Sequence, residues 1–393
     1  MLEALNTPAP DKIIELIAIF AADPRAEKLD LGVGVYKDAA GRTPVMRAVK
    51  AAERRLWEEQ TTKSYVSLAG DPAFVARMRG LVFGDAIAED RIAGVQTPGG
   101  TGAVHQLFEL IQRADPEAVV WYSDPTWPNH PAMLAHLGIP ARTYRYFDPA
   151  TRGVDFEGML ADLAGAKVGD VVLLHGCCHN PTGANPTLEQ WRLIAELCAH
   201  KGLVPMIDFA YQGFGDGLES DAAGLRYLAG QVPETLLAVS CSKNFGLYRD
   251  RVGAAFAITA APNLTAIAQG NLASLNRMNY SFPPDHGAKT VEIILGDDAL
   301  RADWMAELEE MRRGMLVLRE GLAEALRRAT NSDRYDFIAT HRGMFSRLGL
   351  GPEQVARLRS EHGVYMIGDS RINIAGLPAD GLDKLAAAIA SVG

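Results

Sequence analysis

A short polar segment that follows an apolar run combines a primary amine with groups suited to anion binding. The segment covers residues 240–246, with Lys243 at its centre, and Arg251 follows the lysine by eight residues. The apolar run before it, residues 236–239, is typical of a buried strand. An amine can form an imine with an aldehyde, and hydroxyls together with a guanidinium can hold a phosphate. A lone segment of this kind is more often a solvated polar loop, so its interpretation depends on the rest of the chain.

A glycine-rich turn at residues 97–102 offers a second anion-binding feature, because it leads into a helix predicted over residues 103–113. Glycines at a helix start allow backbone N–H groups to approach an anion, and the helix dipole favours negative charge there. Thr101 adds a hydroxyl. The spacing matches neither a dinucleotide-binding fingerprint nor a phosphate-binding P-loop. Glycine-rich turns are common, so this signal is weak when it stands alone.

A carboxylate and a phenol follow another predicted strand, at residues 203–207. Ligands of open α/β sheets bind at the carboxyl edge of the strands, where Asp208 would lie. Asp208 could keep a pyridinium nitrogen protonated, and Tyr211 could hydrogen-bond a ring oxygen. A helix N-cap is an equally good interpretation of Asp208 in isolation. Together with an imine-forming lysine and a phosphate site, these residues point to pyridoxal 5'-phosphate (PLP).

The segment at residues 175–183 contains four potential metal ligands, two histidines and two cysteines, within five residues. Their spacing matches no standard zinc pattern, so we expect no metal site. We expect the following turn to deliver Asn180 as a hydrogen-bond donor, and Asn180–Pro181 is a candidate cis bond. Trp127 could stack on a planar cofactor, although a core tryptophan is equally common. Arg371 begins a predicted strand and could bind a carboxylate, although a surface salt bridge is the default for an arginine.

Composition restricts the class of protein. The chain has 393 residues and a net charge of −9, which argues against a nucleic-acid binder. No apolar run reaches membrane-spanning length, and the N-terminus has no secretory-signal pattern, so no membrane association is expected. The four cysteines include one adjacent pair, which favours free thiols in a reducing compartment. We therefore expect a cytoplasmic protein.

The order of apolar and amphipathic segments predicts an α/β protein with a mostly parallel sheet and a second, smaller α+β domain. The large domain is expected over residues 46–299 and the small one over 300–393, while periodicity does not assign residues 1–45. Strands are predicted at residues 118–122, 171–174, 203–207, 236–239, 252–256, 335–338, 343–348 and 371–374. Helices are predicted at residues 103–113, 188–200, 300–329, 352–361 and 383–390.

Taken together, the motifs resemble one family, the fold-type I PLP-dependent aspartate/aromatic amino acid aminotransferases, with bacterial aromatic-amino-acid aminotransferases as the nearest pattern. The resemblance extends from residue 31 to residue 376. The motifs that carry it are Thr-Pro-Gly-Gly-Thr-Gly (97–102), Trp-Pro-Asn-His (127–130), His-Gly-Cys-Cys-His-Asn-Pro-Thr-Gly (175–183), Asp-Phe-Ala-Tyr-Gln-Gly-Phe (208–214) and Ser-Lys-Asn-Phe-Gly-Leu-Tyr (242–248).

The resemblance implies a role for each matching residue. Lys243 resembles the lysine that bonds to the cofactor, Asp208 the partner of the ring nitrogen, and Trp127 the residue stacked on the ring. Tyr211 and Asn180 resemble the partners of the ring oxygen, and the residues that resemble the phosphate site are Gly100, Thr101, Ser240, Ser242 and Arg251. Tyr65 resembles the tyrosine that reaches the phosphate of the neighbouring subunit, and His130 resembles a support for Asp208. Gly34 and Arg371 resemble the site of the substrate α-carboxylate, and Arg277 resembles the arginine that binds a side-chain carboxylate.

The resemblance also implies a homodimer with shared active sites, and a small domain that joins residues 1–45, including an N-terminal arm, to residues 300–393. The expected reaction is a ping-pong transamination between an aromatic or acidic L-amino acid and 2-oxoglutarate. Phe282 and Ser64 stand where aspartate-specific members carry Asn, which puts strict dicarboxylate specificity in doubt. An aspartate aminotransferase with little aromatic activity is the alternative. A PLP lyase or decarboxylase, or a binding module of the same fold, fits the arginines and the lysine less well.

Overall fold

The structure, a computed structural model, describes residues 1–7 and 12–393. The chain divides into two compact units, a larger one of residues 44–314 and a smaller one of residues 1–43 and 315–393. The sequence places the second boundary earlier, at 299/300. The first turns of the long helix that begins at Asp298 belong to the larger unit, because the indole N–H of Trp304 donates to the carbonyl of Asn244 at 2.8 Å. Part of the predicted N-terminal arm, residues 8–11, lies outside the described residues.

The strands, in chain order, are β1 (Leu29–Asp30), β2 (Ile92–Pro98), β3 (Val120–Asp124), β4 (Ala141–Arg145), β5 (Val171–His175), β6 (Val204–Phe209), β7 (Thr235–Ser240), β8 (Val252–Ile258), β9 (Phe345–Arg347), β10 (Val364–Tyr365) and β11 (Arg371–Asn373). The helices are α1 (Lys12–Ala22), α2 (Arg47–Glu59), α3 (Pro72–Phe83), α4 (Gly99–Ala114), α5 (Asn129–Leu137), α6 (Phe156–Leu163), α7 (Leu188–Lys201), α8 (Leu218–Gln231), α9 (Pro262–Asn279), α10 (His286–Gly296), α11 (Asp298–Thr330), α12 (Phe337–Thr340), α13 (Pro352–His362) and α14 (Leu382–Val392).

The larger unit is built on a seven-stranded sheet with the order β2-β8-β7-β6-β5-β3-β4. The neighbours from β7 to β4 pair in parallel, whereas β8 is antiparallel to both β2 and β7. The prediction of a mostly parallel sheet is therefore confirmed. All residues of β5, β7 and β8 are buried, as expected for strands covered on both faces. Parallel pairing brings the carboxyl ends of β3, β5, β6 and β7 to one edge of the sheet.

One face of this sheet packs against α4, whose buried residues repeat every three or four positions. The contacts join the helix residues Val104, Leu107, Phe108 and Ile111 to apolar side chains of the strands. The helix begins at Gly99, one turn before the predicted start at residue 103, because the glycine-rich turn is itself helical. The earlier start places Gly99 and Gly100 in the first turn, where the backbone N–H groups point out of the helix.

The smaller unit contains two short two-stranded sheets, a parallel pair β1–β10 and an antiparallel pair β9–β11. The strands predicted near residues 345 and 371 and the predicted helices correspond to β9, β11, α11, α13 and α14. The strand predicted at residues 335–338 is wrong, since this segment leads into the short helix α12. The buried residues there are Tyr335 and Ile338, three positions apart, and the Ile338 N–H donates to the Tyr335 carbonyl at 3.1 Å. The segment was predicted as a strand because it is rich in aromatic and β-branched residues, although the spacing of its buried residues is helical.

Within residues 1–7 and 12–393, no helix is both long and apolar enough to cross a bilayer.

Candidate active site

The glycine-rich turn and the segment after β7 converge on one polar hollow, which we call the phosphate cup and define by Gly99, Gly100, Ser240, Ser242 and Arg251. The Arg251 Nη1 donates to the Ser242 Oγ at 3.3 Å, and the Ser242 N–H donates to the Ser240 Oγ at 3.2 Å. A Cβ on Gly99 would lie 2.5 Å from the Arg251 Nη2, and one on Gly100 would lie 2.9 Å from the Ser240 Cβ. Gly99 has a φ of +73°, which other residues rarely adopt, so a glycine is favoured where the α4 N-terminus approaches the cation, and the site suits a phosphate.

Thr101 lies beside the cup in the first turn of α4, where its side chain is exposed. The residue before the helix is Pro98, whose side chain makes no capping hydrogen bond. The first N–H groups of α4 are therefore not satisfied by an N-cap side chain, and an anion can accept from them.

Lys243 lies in the turn after β7, which ends at Ser240, and its Nζ lies 4.9 Å from the ring centroid of Tyr211. Desolvation lowers the pKa of Lys243, and the charge of Arg251 lowers it further, although the Asp208 carboxylate acts in the opposite direction. A lowered pKa increases the fraction of neutral amine. Because the neutral amine is the nucleophile, this environment suits a lysine that forms an imine.

Asp208 ends a chain of hydrogen bonds that we call the Asp208 relay, formed by Asp208, His130, Thr126 and His175. The His130 Nε2 lies 3.1 Å from the Asp208 Oδ2, and the His130 Nδ1 lies 2.8 Å from the Thr126 Oγ1. The same hydroxyl lies 3.1 Å from the His175 Nε2. Burial, the largest influence on the pKa of Asp208, raises it, but the His130 hydrogen bond and the nearby charges of His130 and Lys243 together lower it below its usual value. The relay therefore holds a buried carboxylate in its charged form.

Two histidines lie near the end of β5: His175, the last residue of the strand and a member of the relay, and His179. Burial and the neighbouring His130 charge lower the pKa of His175 to about 3, so this ring is neutral at physiological pH. The His179 ring lies 4.2 Å from the His175 ring and stacks on Tyr146 at 3.9 Å. Its nitrogens lie 3.0 Å from the Ser123 Oγ and 2.9 Å from the Thr182 Oγ1. The ring nitrogens in these contacts, His175 Nε2 and both nitrogens of His179, face hydroxyl groups.

Trp127 and Asn180 lie on two loops that flank the relay. The Trp127 ring is partly exposed and meets the His130 ring edge to face at 5.2 Å. Asn180 is buried, and the Asn180–Pro181 bond is cis as predicted. Asp124–Pro125 is also cis, which the sequence interpretation did not anticipate. A partly exposed indole can stack on a planar group, and a buried amide can hydrogen-bond it.

In the smaller unit, the Arg371 side chain is buried on β11, where its Nη2 donates to the Gly32 carbonyl at 2.8 Å. Its guanidinium lies 4.5 Å from the ring centroid of Phe345 on the paired strand β9. A Cβ on Gly34 would lie 2.9 Å from the Phe345 Cζ, so this ring needs a glycine opposite it. Asn373 holds the same loop by donating to the carbonyls of Val33 and Val35, each at 2.7 Å. The predicted pair Gly34 and Arg371 is thus brought together.

Phe345 is in turn held by a fully buried arginine of α11. The Arg319 guanidinium donates to the carbonyls of Gly343 and Phe345, each at 2.7 Å, and to the Ser346 Oγ at 2.8 Å. A planar five-donor group can bind several acceptors at once, so Arg319 fixes the strand that carries Phe345.

Tyr65, Phe282 and Arg277 form a second cluster of the larger unit, which we call the surface cluster. The rings of Tyr65 and Phe282 stack at 4.6 Å, and the Arg277 guanidinium lies 5.7 Å from the Phe282 ring. The Arg277 Nη1 also donates to the Ser281 Oγ at 2.5 Å. Tyr65 is 83% exposed. Ser64 and Tyr65 line an open cavity of 720 Å³ beside this cluster.

Sequence reasoning missed three contributors. Thr126 carries the hydrogen bonds between His130 and His175, Phe345 stacks on Arg371, and His175 belongs to the relay rather than to a metal site. Thr126 could have been singled out in the sequence, because it directly precedes the candidate Trp127. No local pattern distinguishes Phe345 from a core phenylalanine, because its partner lies on another strand.

Comparisons with known proteins place this geometry in a family. The model of aminotransferase class I and II matches residues 26–389. The chain belongs to this aminotransferase family. It is 58% identical over 393 residues to the aromatic-amino-acid aminotransferase of Paracoccus denitrificans, with all of both chains covered. It is 44% identical over 395 residues to the aspartate aminotransferase of Escherichia coli K12, again with full coverage of both.

A solved structure extends the agreement to the fold. An aromatic-amino-acid aminotransferase from Burkholderia pseudomallei, covalently bound to pyridoxal phosphate, is 40% identical and superposes with a TM-score of 0.97 over 100% of this chain and 99% of that chain. The predicted resemblance and fold class are therefore confirmed, and this aminotransferase is PLP-dependent. The phosphate cup, whose glycines leave no room for a Cβ, together with Lys243 and Asp208, fits that cofactor.

Proposed function

We propose that this aminotransferase moves the amino group between aromatic as well as acidic L-amino acids and 2-oxoglutarate. The observation that carries the proposal is the surface cluster, which offers a guanidinium and two aromatic rings side by side. A carboxylate side chain can pair with Arg277, and an aromatic side chain can pack on the rings. The names of the relatives, which include both aromatic-amino-acid and aspartate aminotransferases, support this range.

The residues of the larger unit divide the work on the cofactor. The bound PLP supplies an aldehyde and an electron-withdrawing ring. Lys243 Nζ would bond to the aldehyde of the cofactor and, as a free amine, would take the proton from the substrate Cα. Asp208 holds a proton at the ring nitrogen, since its charge is maintained by the relay. The phosphate cup and Thr101 bind the phosphate, Trp127 stacks on the ring, and Tyr211 and Asn180 hydrogen-bond the ring oxygen.

The arginines bind the two ends of a dicarboxylate. Arg371, with Gly34 opposite Phe345, binds the α-carboxylate that every amino-acid and 2-oxo-acid substrate carries. Arg277 binds the second carboxylate of aspartate, glutamate or 2-oxoglutarate. When an aromatic side chain occupies the site, Arg277 moves aside, because burying an unpaired guanidinium is costly.

We further propose a homodimer in which Tyr65 and Arg277 serve the neighbouring site. The exposure of Tyr65, together with its stacking on Phe282, supports a role at an interface rather than in this chain's core. The four cysteines are reduced and buried, which supports the proposal of a reducing compartment such as the cytoplasm.

Steady-state rates with phenylalanine, tyrosine and aspartate as donors and 2-oxoglutarate as acceptor, and with glutamate as donor and oxaloacetate as acceptor, test the substrate proposal. We expect measurable kcat/KM values for both classes of donor. If only the acidic donors react, the protein is an aspartate aminotransferase with little aromatic activity. If only the aromatic donors react, the proposed range of acidic donors is refuted.

Subunit mixing tests the shared site. Lys243→Ala and a strongly impaired Arg277→Leu variant should regain aspartate activity when mixed, because one of the two sites in a hybrid dimer then has both intact groups. A mixture of Lys243→Ala with Arg371→Ala should not regain it, since both changes affect residues that one subunit supplies. A fully active monomer in sedimentation would contradict the shared site.

A further inference from the structure

The loop after β5 places two adjacent cysteines beside a carboxylate from another element. Cys177 and Cys178 are buried and reduced, and Asp221 lies on α8. The two Sγ atoms and a carboxylate oxygen of Asp221 all lie within 4.8 Å of one another. Asp221 is absent from the local sequence pattern that argued against a metal, because it lies on a separate helix.

The histidines of the same segment face a different set of groups, so the segment divides its potential ligands. His175 contacts Thr126 and His179 contacts Ser123 and Thr182, as described above. Cys177 and Asp221, in contrast, line a cavity of 370 Å³ that gives solutes a route to the Cys177 thiol and, through it, to the neighbouring Cys178. The thiols and the carboxylate therefore form a separate cluster with its own opening.

The spacing of this cluster fits a metal ion after a small adjustment. When three ligand atoms lie no more than 4.8 Å apart, an ion can be placed within about 2.8 Å of all three, since 4.8/√3 is about 2.8. Zinc–sulfur bonds are about 2.3 Å long, so an inward movement of about half an ångström completes the contacts. Two sulfur ligands select a soft cation.

Asp221 is already held in place for such a role. Its Oδ2 accepts from the N–H groups of Gly213 and Gly215 at 2.8 and 2.9 Å. Its Oδ1 accepts from the Asp216 N–H at 2.8 Å, which leaves that oxygen with a further lone pair. The carboxylate is thus fixed next to the thiols.

We propose that Cys177, Cys178 and Asp221 form a binding site for a soft divalent cation, and that its occupation inhibits the enzyme through the Asp208 relay. On binding, each thiol loses its proton to solvent and forms a metal–sulfur bond, while one carboxylate oxygen forms the third bond. Each cation therefore releases two protons, and the remaining coordination position opens to the cavity.

The inhibition follows from the position of the loop. His175 pairs with Asp208 in the β5–β6 register, and the Gly176 N–H donates to the Asp208 carbonyl at 2.9 Å. Cys177 is the next residue, so its inward movement pulls on Gly176 and His175. The hydrogen bond between His175 and Thr126 then lengthens. This part of the inference rests on the proposed role of Asp208, whereas the cation site does not.

Cadmium is a suitable probe, because its bonds to thiolates absorb in the ultraviolet. The holoenzyme is titrated with Cd²⁺ while thiolate absorbance, proton release and turnover are measured. The chain has four cysteines, and Cys198 is a buried thiol outside the cluster, so Cys198→Ser is the matched control. We expect one cadmium and two protons per chain in the wild type and in Cys198→Ser. Cys177→Ser and Cys178→Ser should each weaken binding at least tenfold, and Asp221→Asn should weaken it less.

The outcomes separate the two parts of the inference. The absence of thiolate absorbance at millimolar cadmium would refute the site, and so would undiminished binding in a Cys177→Ser/Cys178→Ser variant that retains turnover. Thiolate absorbance with unchanged turnover would refute the link to the Asp208 relay. Inhibition that follows the thiolate absorbance, and disappears in the double variant, would support both.

Discussion

The Asp208 relay and the surface cluster differ in how completely the folded chain holds them. In the relay, His130 is buried and each of its ring nitrogens has a partner at about 3 Å. In the surface cluster, Tyr65 and Arg277 are exposed, and their contacts are ring stacking and one hydrogen bond to Ser281. The groups proposed to serve the ring nitrogen of the cofactor are thus fixed by contacts within one chain, whereas Arg277, proposed to select the substrate side chain, is left adjustable.

This difference suits the two tasks. A cofactor is the same in every turnover, so fixed groups can hold it without reorganising during the reaction. Donors of different shape and charge require groups that move, and exposed side chains move at little cost. Changes in the locked region should therefore affect all substrates alike, while changes in the surface cluster should separate one class of substrate from another.

The largest effect is expected from Lys243→Ala. The variant should keep its PLP through the phosphate cup but lose the visible absorbance of the lysine-bound cofactor. Turnover should fall by roughly four powers of ten for every donor, at the upper end of what one proton-transferring group contributes. Absorbance spectra and kcat check this, and near-normal turnover would exclude Lys243 as the reacting amine.

Asp208→Asn should give the next largest loss. The amide preserves the shape but cannot hold a charge-paired proton at the ring nitrogen, so kcat should fall roughly a thousandfold for aromatic and acidic donors alike. PLP content is measured in parallel. A much larger loss for one donor class would show that the relay also contributes to specificity, and would contradict the expectation that it serves all substrates alike.

Arg277→Leu should separate the two classes of donor. Without the guanidinium, kcat/KM for aspartate should fall by roughly two powers of ten, which corresponds to about 2.7 kcal/mol of transition-state stabilisation. The half-reaction with phenylalanine should change much less. Arg113→Leu, at another exposed arginine, is the control and should change neither. Equal losses for both donors would mean that Arg277 is structural.

The smallest effect is a pH dependence of stability in the cofactor-free protein. Since the pKa of Asp208 is lowered in the folded state, its charged form stabilises folding above about pH 4, and this contribution is lost as pH falls through the lowered pKa. Asp208→Asn should therefore reduce the free energy of unfolding by about 1.5 kcal/mol near pH 7 and by less at lower pH. Denaturant unfolding at several pH values measures the difference. A constant difference would contradict the lowered pKa.

Several site residues could be predicted because each follows a strand or opens a helix in a recognisable local pattern. Lys243, Asp208 and Gly100 are of this kind, since the carboxyl edge of a parallel sheet collects whatever follows its strands. Arg371 was a candidate as the first residue of a predicted strand and took its specific role from the family resemblance, whereas Gly34 depended on that resemblance alone. Phe345 was missed, because its importance arises from stacking on a residue of the neighbouring strand.

By itself, the sequence determined the alternation of strands and helices, the amine and the carboxylate near strand ends, and the glycines at the start of α4, where the backbone can approach an anion. These features are local, and the physical causes act within a few residues. Only the tertiary structure decided that Thr126 joins His130 to His175, that Cys177 and Cys178 lie beside Asp221, and that Arg277 lies beside Phe282. Side-chain contacts between separate elements depend on strand order and packing, which no local pattern encodes.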